Sequence, residues 1–220
     1  MNSSTEAPSK AVPEGAQTLS RRIFYAWALL AAAPWAFPGF SLAGAPTEQI
    51  RGTIDRAIEI LKDPALAAKG KREERRGLLR KEIAPAFDFA EMSKRSLGTR
   101  WRGRTPEERD RFVPLFRELL ENSYIGKIEA YEGEVIRYDK ETVDGPYAEV
   151  KTRVVTRKGQ EHPVDYRMHG DGGKWRIYDV VIEGISLVNN YRSQFNSILQ
   201  KSSFAEMMEK LGATVREQKP

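Results

Sequence analysis

At Gly133 the hydrophobic pattern of this 220-residue chain changes period, and that change fixes the class of fold open to it. Upstream, apolar residues recur every three or four positions. Ile50, Ile54, Ile58 and Leu61 share one side of a helix over residues 47–61, which Asp63-Pro64 stops. A charged second helix over 71–83 carries Leu78, Leu79 and Ile83, and Pro85 ends it. Asp88 caps a third helix through Leu97, with Gly98 as its stop. The fourth opens on Thr105-Pro106-Glu107-Glu108, a capping-box pair with proline at the first helical position. Phe112, Phe116, Leu119, Leu120, Tyr124, Ile128 and Tyr131 continue its apolar side, and Pro114 bends it by removing a backbone donor.

Beyond Gly133 the period is two. Ile136 and Tyr138, then Ala148, Val150, Thr152 and Val154, then Val164, Tyr166 and Met168 alternate with charged neighbours. Asp144-Gly145, Lys158-Gly159 and Gly170-Asp171-Gly172-Gly173 stand where hairpin turns are needed. Residues 175–182 are apolar on both faces, which predicts a central strand. Tyr191, Phe195, Ile198 and Leu199 restore helical spacing, followed by residues 204–211. The expected class is α+β: a curved antiparallel sheet of about four to five strands, covered by helices on one face and extended by N-terminal helices. Such a topology is similar to the cone-shaped, nuclear-transport-factor type of fold, which leaves an apolar cavity between its layers.

The first 43 residues form a leader. Arg21 and Arg22 precede an apolar run from Ile23 to about Phe40, and small residues follow at Ser41, Ala43, Gly44 and Ala45. Pro34 and Pro38 make that run a poor membrane helix, and spanning needs about 20 predominantly apolar residues. Cleavage is expected after Ala43, because a cut after Ala45 leaves Pro46 at the new N-terminus. An uncleaved anchor is the alternative. Ser20-Arg21-Arg22-Ile23-Phe24 fits a twin-arginine start, while Tyr25 and Ala26 depart from it, so the Sec and twin-arginine routes both stay open. Either route ends outside the cytoplasm. Residues 44–220 are then one domain with room for a core. Removing the leader's Lys10, Arg21, Arg22, Glu6 and Glu14 leaves 33 basic and 29 acidic residues, a net charge of +4. These charges are interspersed, as on a solvated surface and unlike a nucleic-acid footprint. Cysteine is absent, which excludes disulfides, thiolate metal sites and cysteine nucleophiles.

Catalytic chemistry is sparse. His162 and His169 are the only histidines, and neither has a metal-ligand partner nearby in sequence. No nucleophile elbow, phosphate-binding glycine loop or zinc-protease motif occurs, and the glycine-rich turn at 170–173 opens no helix. Asp179 and Glu183 fall on one face of a strand and could do acid–base work. Arg137, Arg153 and Arg167 offer them an ion pair as the plainer role. Arg100, Arg102 and Arg104 flank Trp101; an exported protein meets little nucleic acid, so a solvated loop competes there with a docking or headgroup surface.

Three blocks are more specific. FDFAEMSKRSLGTRW (87–101), RFVPLFRELLENSY (111–124) and WRIYDVVIEGISLVNNYRSQF (175–195) resemble, in order and spacing, the MlaC or toluene-tolerance family of periplasmic phospholipid-binding proteins. The last block, with Tyr178-Asp179-Val180, Glu183-Gly184 and 190–195, is the most distinctive. Pro114 stands where alanine is common in the family. The resemblance covers nearly all of 47–211. It implies a periplasmic carrier with no catalytic residue, no metal and no cofactor, holding phospholipid as cargo by its acyl chains. It also implies exchange with an outer-membrane lipoprotein complex and with an inner-membrane Mla-type ABC transporter, which maintains outer-membrane lipid asymmetry. Hopanoid is the alternative cargo; a cone-fold enzyme acting on a small apolar substrate and a solid adaptor are the competing roles. Given a carrier, alternation and helical spacing point Phe116, Leu120, Tyr124, Val150, Val154, Tyr166 and Met168 at the lipid chains. Lys94, Arg95, Arg100, Arg102 and Arg104 form the densest basic stretch and are the expected docking surface.

The leader reading is open to direct measurement. Replacing Arg21 and Arg22 by Lys blocks export on a twin-arginine route and leaves Sec export almost unchanged. N-terminal sequencing of the exported protein is expected to begin at Gly44; a start at Met1 or Asn2 establishes an anchor.

Overall fold

The computed structural model describes residues 46–68, 70–171 and 173–218; the leader and its cleavage point lie outside them. Helix α1 (Pro46–Lys62) buries Ile50 and Ala57, and Asp63 ends it. The Asp63 carboxylate then accepts from the Ala65 amide and caps a single turn, α2 (Pro64–Ala67), which begins on proline. Helix α3 (Arg72–Ile83) turns its charged face outward and buries Leu79. Asp88 caps α4 (Phe89–Leu97) by accepting from the Glu91 amide at 2.8 Å. Gly98 ends that helix at φ 57°, where a Cβ would be strained. A 3₁₀ turn, Gly98–Gly103, leads to α5 (Pro106–Glu129), whose capping box is closed in both directions at Thr105 and Glu108. The chain stays helical through the exposed Pro114.

The sheet is an antiparallel meander in strand order: β1 (Val135–Asp144), β2 (Tyr147–Val155), β3 (Glu161–Asp171), β4 (Lys174–Ile182) and the two-residue β5 (Ile185–Ser186). Two bulges change the phase of its outer strands. Tyr138 pairs with Thr152 but Lys140 with Lys151, so Asp139 is an extra residue in β1. Met168 pairs with Ile177 but Arg167 with Asp179, so Tyr178 is extra in β4. Trp175 and Ile177 before that bulge, and Val180 and Ile182 after it, therefore share the helix-facing side. This phase change accounts for a strand that reads as apolar on both faces. It also corrects the expectation that this strand is central. β4 has β3 on one side, and on the other only β5 and an isolated bridge from Ile177 to Phe87.

Ser186 starts α6 (Leu187–Leu199), and a second capping box, Ser203 with Glu206, starts α7 (Phe204–Glu217). Helices α4 to α7 form the solid part of the molecule. Phe112 and Phe116 of α5 are fully buried, and Phe195 of α6 meets them edge-on at 5.5 and 5.6 Å between ring centres. Leu97, Leu119, Met207, Leu211 and Val215 fill in around the rings. No helix among the described residues is long and apolar enough to cross a membrane.

Helix α3 is held to the end of α5 by charge. The Glu129 carboxylate, 6% exposed, accepts from Arg76 at 2.9 Å and Arg75 at 3.0 Å, with Arg72 at 3.4 Å. Burial alone would raise the Glu129 carboxyl, but the hydrogen bonds and charge of Arg75, Arg76 and Arg72 hold it below its ordinary 4.5. A depressed folded value contributes stability above about pH 4.5 that is lost as pH falls through the folded value. Removing the carboxylate strands buried guanidinium groups, so Glu129→Gln is expected to cost about 3–5 kcal/mol at neutral pH. The gap to wild type narrows below pH 4.5, as measured by urea unfolding across pH. A gap independent of pH contradicts this assignment.

Candidate functional site

Between the concave sheet, α1, α3 and the end of α5 the molecule is hollow. Ile50 touches down among Val150, Trp175, Ile177 and their neighbours and is 2% exposed. Beyond it the apolar stripe of α1, at Ile54, Ala57, Ile58 and Leu61, lines a cavity lobe of about 630 Å³. A second lobe of about 380 Å³ lies between α3, α4, α5 and the sheet, against Leu79, Met92, Leu120, Tyr124, Val164 and Val180. Ile83, Phe87, Lys127, Ile128, Val154 and Tyr166 line both lobes, so the two hollows share a wall. Two further hollows, of about 610 and 730 Å³, lie beside Pro114 on the outer side of α5 and are lined largely by charged side chains. Of these four hollows among the described residues, the two that share a wall are the ones lined mainly by hydrocarbon.

Its cover is fastened at the edges. Glu141, which β1 projects beyond the helical layer, accepts from the Thr47 amide at 2.8 Å and the Thr47 hydroxyl at 2.5 Å. Gln49 of α1 accepts from the Trp175 amide at 3.0 Å, and Arg56 of α1 pairs with Glu82 of α3. The phenols near the sheet are neutral donors: burial pushes Tyr138 up to about 12, helped by Asp55, and moves Tyr166 and Tyr124 upward too. The Tyr166 hydroxyl has no hydrogen-bond partner among the described residues.

Of the seven residues expected at the lipid chains, Val154 and Tyr166 line both lobes, and Leu120 and Tyr124 line the smaller one. Phe116, Val150 and Met168 do not reach the cavity wall. Phe116 is sealed among Phe112, Tyr191 and Phe195. Val150 and Met168, at 0% and 1% exposure, sit in the packed half of the sheet beneath Ile50 and Trp175. Alternation put Val150, Val154, Tyr166 and Met168 on the helix-facing side of the sheet but could not say how far along that face the helices lie in contact. The cavity residues Ile54, Ile58, Leu61, Ile83 and Phe87 carried only an amphipathic signal in sequence, which does not reveal what the stripe faces.

The basic stretch is dispersed. Lys94 and Arg95 both pair with Glu91, at 3.0 and 2.8 Å, and Arg95 also lies 4.0 Å over the Tyr178 ring. Arg104 pairs with Glu108 and covers Phe204. Arg100 and Arg102 are exposed on the 3₁₀ turn, while Trp101 between them packs against the helical core.

The acidic and imidazole groups have structural partners. Asp179 is buried and accepts from Arg167 at 3.2 Å, from the Ser186 hydroxyl at 2.6 Å and from the Val188 amide at 3.1 Å, so it pins the start of α6 to β4. Glu183, exposed on the β4–β5 turn, meets His162 at 2.8 Å. His169 meets Asp88 at 2.9 Å and ties β3 to the cap of α4. Burial would raise the Asp88 carboxyl, but the Glu91 amide and His169 bring it below its ordinary value. No group of three or more metal-ligating side chains occurs among the described residues.

Comparison with known proteins agrees with this geometry. The toluene tolerance protein ttg2D of Pseudomonas putida is 27% identical over 170 residues, covering 76% of this chain and 79% of that protein. The intermembrane phospholipid transport system binding protein MlaC of Haemophilus influenzae is 23% identical over 141 residues, covering 62% and 66%. A phospholipid-binding protein from Ralstonia solanacearum, solved in complex with a phospholipid, has the same fold, with a TM-score of 0.71 at 22% identity over 80% of this chain and 99% of that one. The family model for the MlaC protein matches residues 51–213, from the first helix of the fold to its last, and the chain belongs to that family.

Proposed function

We propose that this protein is a periplasmic carrier that holds a phospholipid by its acyl chains and moves it between membranes. The observation that carries this reading is the two-lobed hydrocarbon cavity, in a family whose named relatives include an intermembrane phospholipid transport protein. Two acyl chains hold about 30 methylenes, and at about 0.8 kcal/mol each their exposure to water costs on the order of 20 kcal/mol. Crossing an aqueous gap therefore requires a hydrocarbon-lined container. If a methylene fills about the same 30 Å³ as a water, lobes of about 630 and 380 Å³ take roughly 20 and a dozen carbons. Transfer from bilayer to such a cavity exchanges one hydrocarbon setting for another, so its net free energy is small and the cargo can be released again. The two-lobed shape favours a two-chain lipid over a rigid hopanoid.

A carrier needs no catalyst, and the protein's pairs of titratable side chains serve as caps and bridges. We assign it no enzyme activity and no cofactor. Its partners are an inner-membrane Mla-type ABC transporter, which uses the ATP, and an outer-membrane lipoprotein complex. Arg100 and Arg102 are the exposed members of the basic stretch and supply the electrostatic part of docking, which speeds encounter more than it adds affinity.

Native mass spectrometry of the exported protein is expected to find bound phospholipid. Val154→Trp, which fills the wall common to both lobes, expels it with little loss of melting temperature. Val150→Trp overpacks a filled region and destabilises by about 1–3 kcal/mol. A stable wild type that never takes up lipid from vesicles refutes the carrier reading. For docking, charge reversal of Arg100 and Arg102 to Glu slows lipid transfer to partner-containing liposomes several-fold at low salt, and the difference fades as salt is added. Equal rates at every salt concentration leave these arginines as solubilising groups only.

A further inference from the structure

The wall shared by the two lobes has six residues, four of them hydrocarbon: Ile83, Phe87, Ile128 and Val154. The other two, Lys127 and Tyr166, put a lysine and a tyrosine in the wall that the lobes share. Other charged groups of the lining already have partners. Arg80 donates to Asn122 at 3.3 Å and lies 3.9 Å from Glu121, and Glu121 pairs with Arg117 at 2.7 Å. Glu134 accepts from the Glu132 amide, and His162 meets Glu183. Lys127, exposed in the last turn of α5, has no carboxylate within ion-pair distance among the described residues. Its ammonium stands 4.9 Å over the Tyr124 ring. The Tyr166 hydroxyl has no protein acceptor or donor there either. A hydroxyl facing hydrocarbon without a partner, as at Tyr166, is costly, and a bound molecule that supplies one recovers that cost, while the exposed Lys127 offers a hydrated charge free to pair with an anion.

We propose that Lys127 and Tyr166 form the polar subsite of the carrier, with Lys127 pairing the phosphate of a diacyl glycerophospholipid and Tyr166 donating to an ester carbonyl beside it. The assignment rests on the carrier reading above. A forked hydrocarbon hollow with polar groups at the fork matches a forked ligand. In such a lipid two chains diverge from a glycerol whose ester oxygens accept hydrogen bonds, and the anionic phosphate lies only a few bonds away. The exposed position of Lys127 leaves whatever lies beyond the phosphate in water. Selectivity is therefore for the phosphate and the esters, with little discrimination among headgroup alcohols.

Four vesicle-delivered probes test this on the full exported protein after its lipid is stripped with detergent: phosphatidylglycerol, phosphatidylethanolamine, diacylglycerol of the same chains, and the diether analogue of phosphatidylglycerol. Wild type is expected to bind both ester phospholipids alike, and to bind them more tightly than diacylglycerol. Lys127→Gln weakens binding of the phospholipids by about five- to tenfold, the range of a partly exposed charge-assisted contact, and leaves diacylglycerol unchanged. Tyr166→Phe weakens both ester lipid classes and leaves the diether unchanged. Melting curves of both variants check that the fold is intact. Wild-type binding of diacylglycerol as tight as that of phosphatidylglycerol overturns the Lys127 assignment, as does an equal loss of all probes in Lys127→Gln. An equal loss of ester and diether lipid in Tyr166→Phe overturns the hydroxyl contact. Failure of wild type to bind any of the four removes the carrier reading itself.

Discussion

The aromatic packing of Phe112 and Phe116 against Phe195 is what permits the rest of the molecule to be hollow. Empty apolar space forfeits dispersion contacts and destabilises a fold in proportion to its volume. A chain without cysteine has no disulfide to offset that. Cohesion is concentrated instead in α4 to α7, where three phenylalanine rings close on one another and long aliphatic side chains fill the gaps. The concave sheet needs this block on one flank only. Its other flank is free to face a cavity, and a ligand that enters restores the missing contacts and stabilises the folded state by mass action.

Polar interactions are arranged around the hollow and not within it. Glu129 with its three arginines holds α3 against α5, Glu141 holds Thr47 in the first turn of α1, and Asp179 holds the start of α6. Glu129 and Glu141 join elements distant in sequence, and Asp179 joins β4 to the helix that follows it. This placement leaves most of the interior lining to apolar side chains. Of its polar members, Lys127 and Tyr166 are the two that line both lobes.

The sheet is shaped by its two bulges. Asp139 and Tyr178 each insert one residue opposite a continuous partner strand, increasing local twist and curling the outer strands around the helical layer. The bulge in β4 also sets Asp179 opposite Arg167 while Val180 returns to the apolar side, so one irregularity serves both the ion pair and the cavity wall.

Much of the architecture was legible in local sequence because it depends on local physics. The helix starts at Asp88 and Thr105 follow from side chains that satisfy backbone amides a few residues away, and the inward faces of β2 and β3 follow from alternation. The resemblance carried by the three sequence blocks adds the family. What the sequence could not decide was distance between layers. Val150 and Val154 are equivalent by alternation, yet one is sealed beneath Ile50 and the other borders open space, because α1 meets the sheet at one end and lifts from it toward the other. The marginal place of β4 was hidden for the same reason, since a bulge is a property of the pairing and not of either strand alone. Lys127 gave no signal at all. On a helix surface it is one lysine among many, and only the tertiary fold, by engaging the cavity's other charges and leaving this one free at the wall of two hydrocarbon lobes, sets it apart.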